Sequence, residues 1–187
     1  MSHLIYYLCR TNGARRMRFS VLLYIVLAIF SLASCSSQKK LSGRQAEAAR
    51  LSSQFGFKIT PKDDLRLYSE ASRWLGVPYR YGGKSRTGVD CSGLVGQIYQ
   101  NVYKISLQRT VEGIADKNCR KVTKGDLKTG DLVFFNTSKR KKGINHVGLF
   151  LKDHHFIHAS TSKGVIVSNL RESYYRKHWK KGGRVKK

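Results

Sequence analysis

The chain has 187 residues, enough for one domain with a sizeable core, and a formal net charge of +25 at pH 7. Such an excess calls for anionic surroundings; no nucleic-acid-binding motif is seen, and the export signal described next argues against nucleic acid as partner. Cell-wall acids, lipid phosphates or a merely solvated basic surface remain, and charge alone does not choose among them.

Arg15, Arg16 and Arg18 precede an apolar run, Phe19 to Phe30, followed by Leu32-Ala33-Ser34-Cys35. A basic start, an apolar stretch of about 12 residues and small residues before a cut describe a secretory signal over residues 1–34. The stretch is too short to span a bilayer comfortably. Its end resembles the bacterial lipobox, in which the cysteine is acylated and opens the mature chain. Cys35 is therefore expected to carry a lipid that anchors the protein in the envelope, on an outer membrane facing the periplasm. A plain cleaved signal with an incidental cysteine is the other reading. Met17 is an alternative start.

Residues 35–60 are rich in Ser, Gln, Lys and Ala and read as a tether with a short helix near Gln45–Ser53. The expected domain is 61–187. Thr60 caps its first helix with Pro61 in the first turn; Leu67, Tyr68, Ala71, Trp74 and Leu75 recur at helical spacing, and Gly76 ends it. A glycine-bearing loop from Val77 to Gly88 follows. Asp90 caps a second helix reaching about Tyr103, with Leu94, Val95, Ile98, Tyr99 and Val102 as its buried stripe. Gly93 and Gly96 weaken that helix by roughly 1 kcal/mol each, so close approach of a neighbour is the expected return. Beyond residue 120 come short β runs: Leu132–Phe135, Val147–Leu151, Phe156–Ala159 and Val165–Ser168. Helices first and strands second predict an α+β domain, its N-terminal helices packed on a central antiparallel sheet.

Four cysteines are present. Cys9 leaves with the leader and Cys35 goes to the lipid, so Cys91 and Cys119 remain in a compartment that tolerates disulfides. A Cys91–Cys119 bridge is one reading; a reactive Cys91 beside an unpaired, partly exposed Cys119 on a polar loop is the other. Asp90 as cap puts Cys91 in the first helical turn, where free N–H groups favour an anion. A thiolate near pH 7 needs about 2.7 kcal/mol, whereas a helix terminus supplies ~0.3–1 kcal/mol. An imidazolium from His146 is expected to provide the rest. If a three-residue turn, Leu151-Lys152-Asp153, pairs Phe150 with His154, then His146 faces His158, which can orient it. Metal ligands at C-x-x-C or H-E-x-x-H spacing are lacking, so neither metal nor organic cofactor is expected. His154, His155 and His178 read as solvated.

These stretches resemble the NlpC-type family of bacterial cell-wall cysteine peptidases. The blocks are Trp74-Leu75-Gly76-Val77-Pro78-Tyr79-Arg80-Tyr81-Gly82-Gly83, Val89-Asp90-Cys91-Ser92-Gly93-Leu94-Val95, Gly130-Asp131-Leu132-Val133-Phe134-Phe135, Asn145-His146-Val147-Gly148-Leu149-Phe150 and Phe156-Ile157-His158-Ala159-Ser160. The resemblance implies a compact papain-like fold and a triad of Cys91 as nucleophile, His146 as base and His158 as orienter. It also implies that Tyr79 lines the oxyanion side, and that the substrate is a peptidoglycan stem or cross-link, at γ-D-glutamyl–diaminopimelate or diaminopimelate–D-alanine bonds. A monomer is expected. Leu107-Gln108-Arg109-Thr110 lacks the family's usual proline, as does Asp126-Leu127-Lys128-Thr129-Gly130, which puts subsite shape in question. A related amidase or acyltransferase, or a non-enzymatic envelope-binding protein, are the rival readings.

Overall fold

The structure is a computed structural model that describes residues 41–138 and 143–186, so the leader and Cys35 lie outside the described residues. The chain divides into a unit Met1–Glu47, of which residues 41–47 are described and helical, and a unit Ala48–Lys187 that carries everything below.

The packed domain begins earlier than residue 61. Ala48, Leu51 and Phe55 sit on one side of helix α1 (48–55) and are buried, with Ile59 following them into the core. Their helical spacing outweighs a composition that reads as tether. The next helix starts later than expected. Thr60 closes its own turn, donating from N and Oγ1 to Asp63 Oδ2 at 2.7 and 2.9 Å. Helix α2 (Leu65–Ser72) is capped instead by Asp64, whose side chain accepts the Leu67 N–H. Gly76 turns the chain out at φ 78°, a left-handed conformation that suits glycine.

The expected loop contains a small hairpin, β1 (Lys84–Ser85) with β2 (Gly88–Val89). Helix α3 (Cys91–Tyr103) has the expected bounds, and Leu94, Val95, Ile98 and Tyr99 are buried as predicted, with Val102 partly so. A helical turn α4 (Val111–Gly113) and a π-turn (Ile114–Asn118) lead into an antiparallel sheet. Its strands are β3 (Cys119–Val122), β4 (Leu132–Phe135), β5 (His146–Phe150), β6 (His155–Ser160), β7 (Gly164–Asn169) and β8 (Trp179–Val185), in the order β3-β8-β4-β5-β6-β7. The α+β class holds. The outer strand β3 and the returning β8 were not expected, because their lysines, arginines and the Gly182-Gly183 pair mask any apolar alternation.

Strand β4 is buried on both faces: Leu132 and Phe134 join the core shared with α1, α2 and α3, while Val133 and Phe135 join Phe150, Phe156, Leu170 and Tyr175. Helix α5 (Ser173–His178) supplies Tyr175 to that second cluster, and Tyr174 stays exposed. Two cores back to back make the sheet a rigid platform for side chains at its strand ends.

Candidate active site

Asp90 organises the site. Its Oδ1 accepts the Gly93 N–H at 2.7 Å, capping α3, and its Oδ2 accepts the Gly82 N–H at 2.9 Å, tying the glycine loop to the helix mouth. Arg80 N and Val89 N donate to Val89 O and Pro78 O, each at 3.1 Å, which lays residues 78–83 along the start of α3. Gly93 is the tight point: a Cβ there would lie 2.3 Å from the Gly83 carbonyl oxygen. Gly96, expected to serve the same purpose, faces open space.

This stitching sets Cys91 and Tyr79 in one cleft of about 370 Å3, lined also by Tyr81, Ser92, Arg109, Glu112 and Asn145. Cys91 is buried and free, as is Cys119, so the bridge between them does not form. Cys119 is buried on β3 rather than exposed on a loop, and burial pushes its thiol up to about 12.

The thiol of Cys91 departs from the expected ion pair. Burial raises its pKa, the Asp90 charge adds to the rise, and the N–H groups of Val147, Ser92 and Cys91 itself only partly oppose it. Burial likewise pulls both His146 and His158 below the ordinary histidine value, with the His146 ring adding to the effect at His158. A partly dry site penalises each charged form, which favours a neutral thiol and a neutral imidazole at rest.

The two histidines meet. Nε2 of His146 lies 2.9 Å from Nδ1 of His158, with the rings nearly perpendicular at 88°. The register that brings them together differs from the expected one. Phe150 pairs with Phe156 and Leu149 with Ile157, because the loop turns through Asp153 and His154 with φ of 50° and 66°. This slides the ladder by an even number of residues, so both histidines stay on one face, in a diagonal rather than a directly opposed relation. Gly148 makes the diagonal possible, since a Cβ there would come within 3.2 Å of the His158 Cβ. At the front of β5, Asn145 N donates to Phe135 O and Asn145 Oδ1 accepts the Thr137 N–H at 2.8 Å, fixing the approach to His146. His155 stacks on Phe57 at 4.3 Å instead of being solvated.

Arg109 is the residue that the sequence did not single out for a role. Its Nη1 donates to Asp90 Oδ1 at 3.0 Å and to Ser92 Oγ at 2.6 Å, while Nη2 donates to Asp90 Oδ2. Burial by itself would raise the Asp90 carboxyl, but Arg109 and the Gly93 and Gly82 N–H groups hold it below the usual carboxylate value. Tyr79 is raised by burial and by the neighbouring Cys91 and Asp90, so its hydroxyl keeps its proton. Among the described residues no group of three His, Cys, Asp or Glu could hold a metal ion, and no helix is long and apolar enough to cross a membrane.

The model described as the NlpC/P60 family matches residues 76–184. The chain is 37% identical over 169 residues to "Probable endopeptidase NlpC" of Escherichia coli strain K12, covering 90% of this chain and 100% of that one. It is 29% identical over 165 residues to "Murein DD-endopeptidase MepS/Murein LD-carboxypeptidase" of the same strain, covering 82% of this chain and 86% of the relative. A solved NlpC/P60 family protein from Bacillus cereus superposes with a TM-score of 0.58 at 29% identity over 64% of this chain. This chain spans 39% of that solved one.

Proposed function

This chain belongs to the NlpC/P60 family, and from that premise we propose that it is a lipid-anchored cysteine peptidase hydrolysing peptide bonds of peptidoglycan stems or cross-links. One observation carries the reading: a buried free thiol at a helix mouth lies against the N–H of Val147, the residue after His146, and His146 is in hydrogen-bond contact with His158. That is the equipment for amide attack by a thiol. Further support comes from relatives named as a probable endopeptidase and a murein DD-endopeptidase.

In this mechanism His146 Nδ1 takes the Cys91 proton as sulfur attacks the scissile carbonyl. General-base delivery in the attack itself suits a pair whose resting forms are both neutral. The tetrahedral oxyanion is received by N–H groups at the start of α3 and by the Tyr79 hydroxyl. His146 then returns the proton to the departing amine and activates water to release the thioester. His158 accepts from His146 Nε2–H throughout, which fixes the tautomer and steadies the imidazolium. The protein acts as a monomer without metal or cofactor. A signal over 1–34 and acylation of Cys35 hold it in the envelope, on an outer membrane facing the periplasm.

The test is digestion of purified peptidoglycan by the full-length chain, with products identified by mass spectrometry. The expected outcome is loss of one class of peptide bond, abolished in Cys91→Ala. Release of sugars with intact peptides, or unchanged cleavage by Cys91→Ala, removes the proposal. Fatty-acid labelling that persists in Cys35→Ser removes the anchor.

A further inference from the structure

His158 has a partner on its far side. Its Nε2 lies 3.0 Å from the Tyr175 hydroxyl and 3.1 Å from Ser168 Oγ, and those two oxygens are 3.2 Å apart. All three residues are buried. They come from separate elements: His158 from β6, Ser168 from β7, Tyr175 from α5. In the β6–β7 ladder Ser168 stands opposite Phe156, two positions along from His158 on the same face. The Tyr175 ring is wedged edge-on against Phe156, Phe135 and His158, with centroids 4.8, 5.4 and 5.4 Å away.

Proton accounting gives this cluster a task. For His146 to take a proton on Nδ1, its Nε2 must carry hydrogen and donate to His158 Nδ1. His158 Nδ1 must then be a lone pair, so its own hydrogen sits on Nε2 and requires an acceptor. In the opposite polarity a hydroxyl donates to His158 Nε2, His158 donates to His146, and the remaining hydrogen of His146 occupies Nδ1. That ring cannot act as a base. The tautomer of His146 is therefore set by whether something behind His158 accepts.

We infer that Tyr175 and Ser168 are positioning residues that accept the His158 Nε2–H and so hold His146 in its base-competent tautomer. The inference rests on the reading of Cys91, His146 and His158 as the reacting set. Neither hydroxyl touches substrate. Two acceptors at one nitrogen allow either to substitute for the other, so single replacements act mildly and the double replacement acts strongly. A buried donor left without a partner shifts the balance of tautomers enough to lower turnover roughly 10- to 100-fold. Substrate affinity does not depend on it.

The titratable groups facing His158 are His146 from β5 and Tyr175 from α5, with Glu172 and Tyr174 behind Tyr175. When His146 becomes imidazolium, its charge polarises the bonds along the chain, so losing the acceptors costs that form most. The acidic limb of the rate profile accordingly moves to lower pH in the double variant. A site merely loosened and wetted moves the limb up, toward the ordinary histidine value of about 6.5.

The experiment has two arms, both on the full-length protein carrying Tyr175→Phe, Ser168→Ala or both. Nitrogen-15 spectra of the histidine rings at neutral pH, which need no substrate, are expected to show hydrogen on Nε2 and a lone pair on Nδ1 of both rings in the parent. In the double variant they show a mixture. Kinetics on a soluble cross-linked muropeptide are expected to show kcat falling with KM within about twofold and the acidic limb displaced downward. Should the double variant not fold, Tyr175→Phe alone, which keeps the ring packing, carries both readouts with smaller changes. Hydrogen on Nδ1 of His158 in the parent overturns the inference, as does unchanged kcat or a limb moving upward. A parent that displays these tautomers but cleaves nothing defeats the proposed function instead.

Discussion

His146 and His158 touch through one hydrogen bond of 2.9 Å although they stand twelve positions apart in the chain. Because they are diagonal neighbours across β5 and β6, the imidazole pair belongs to the ladder rather than to a mobile loop. It is available before substrate arrives, which lowers the cost of ordering it at the moment of attack.

The neutral resting pair predicts how Cys91 alkylates. With its thiol raised above the ordinary value, reaction with iodoacetamide is slow at pH 7 and still climbing at pH 9. A thiolate–imidazolium pair gives a fast rate that is flat from about pH 5 to 8. Peptide mass spectrometry resolves Cys91 from the other cysteines. A flat, fast profile refutes the neutral pair.

Both histidines have folded-state values below their unfolded value of 6.5. Below pH 6.5 the unfolded chain binds more protons than the native one, so stability falls as pH falls, by up to about 1.4 kcal/mol per pH unit for each ring. The loss continues until pH reaches the folded-state values. Denaturant unfolding at pH 7, 6 and 5 is expected to show this slope, about halved in His158→Gln. A level stability across that range contradicts the neutral buried pair.

Arg109→Ala leaves the Asp90 carboxylate facing Cys91 without its cation. The Arg109 side chain is 37% exposed, so solvent screening limits the loss of stability to about 1–2 kcal/mol, less than for a fully buried pair. The Cys91 thiol rises further and alkylates more slowly. Adding Asp90→Asn to Arg109→Ala is expected to restore the alkylation rate, and failure to do so breaks the link between these charges and the sulfur.

The glycines of α3 separate cleanly. Gly93→Ala drives a methyl into the Gly83 carbonyl and is expected to cost about 1–3 kcal/mol, with loss of activity through displacement of the Tyr79 loop. Gly96→Ala enters open space and is expected to stabilise the helix by about 1 kcal/mol. Thermal unfolding of the two variants checks both signs.

What could be read from the sequence was local. Asp90 announces a cap and Cys91 the first turn, since cap chemistry acts over three residues. The shared face of His146 and His158 survived a wrong turn length because side-chain direction depends only on whether a slip is odd or even. The turn itself was illegible: Asp153 and His154 adopt positive φ without a glycine to mark it. Arg109 joins Asp90 and Ser92 from a loop, and nothing local encodes such a contact. The short helix near Gln45–Ser53 is legible in the sequence, but its packing into the core is not, because the Ser, Gln and Lys around it mask the spacing of Ala48, Leu51 and Phe55.

Among the described residues strand β3 ends the sheet with no further strand on its outer flank, and its two central residues, Arg120 and Lys121, are exposed. A second molecule attempting to extend the sheet there meets four residues of template and matching positive charge. The fold thus carries its own guard against edge-to-edge aggregation, in a chain whose apolar β4 and β5 would otherwise be hazardous whenever the border frays.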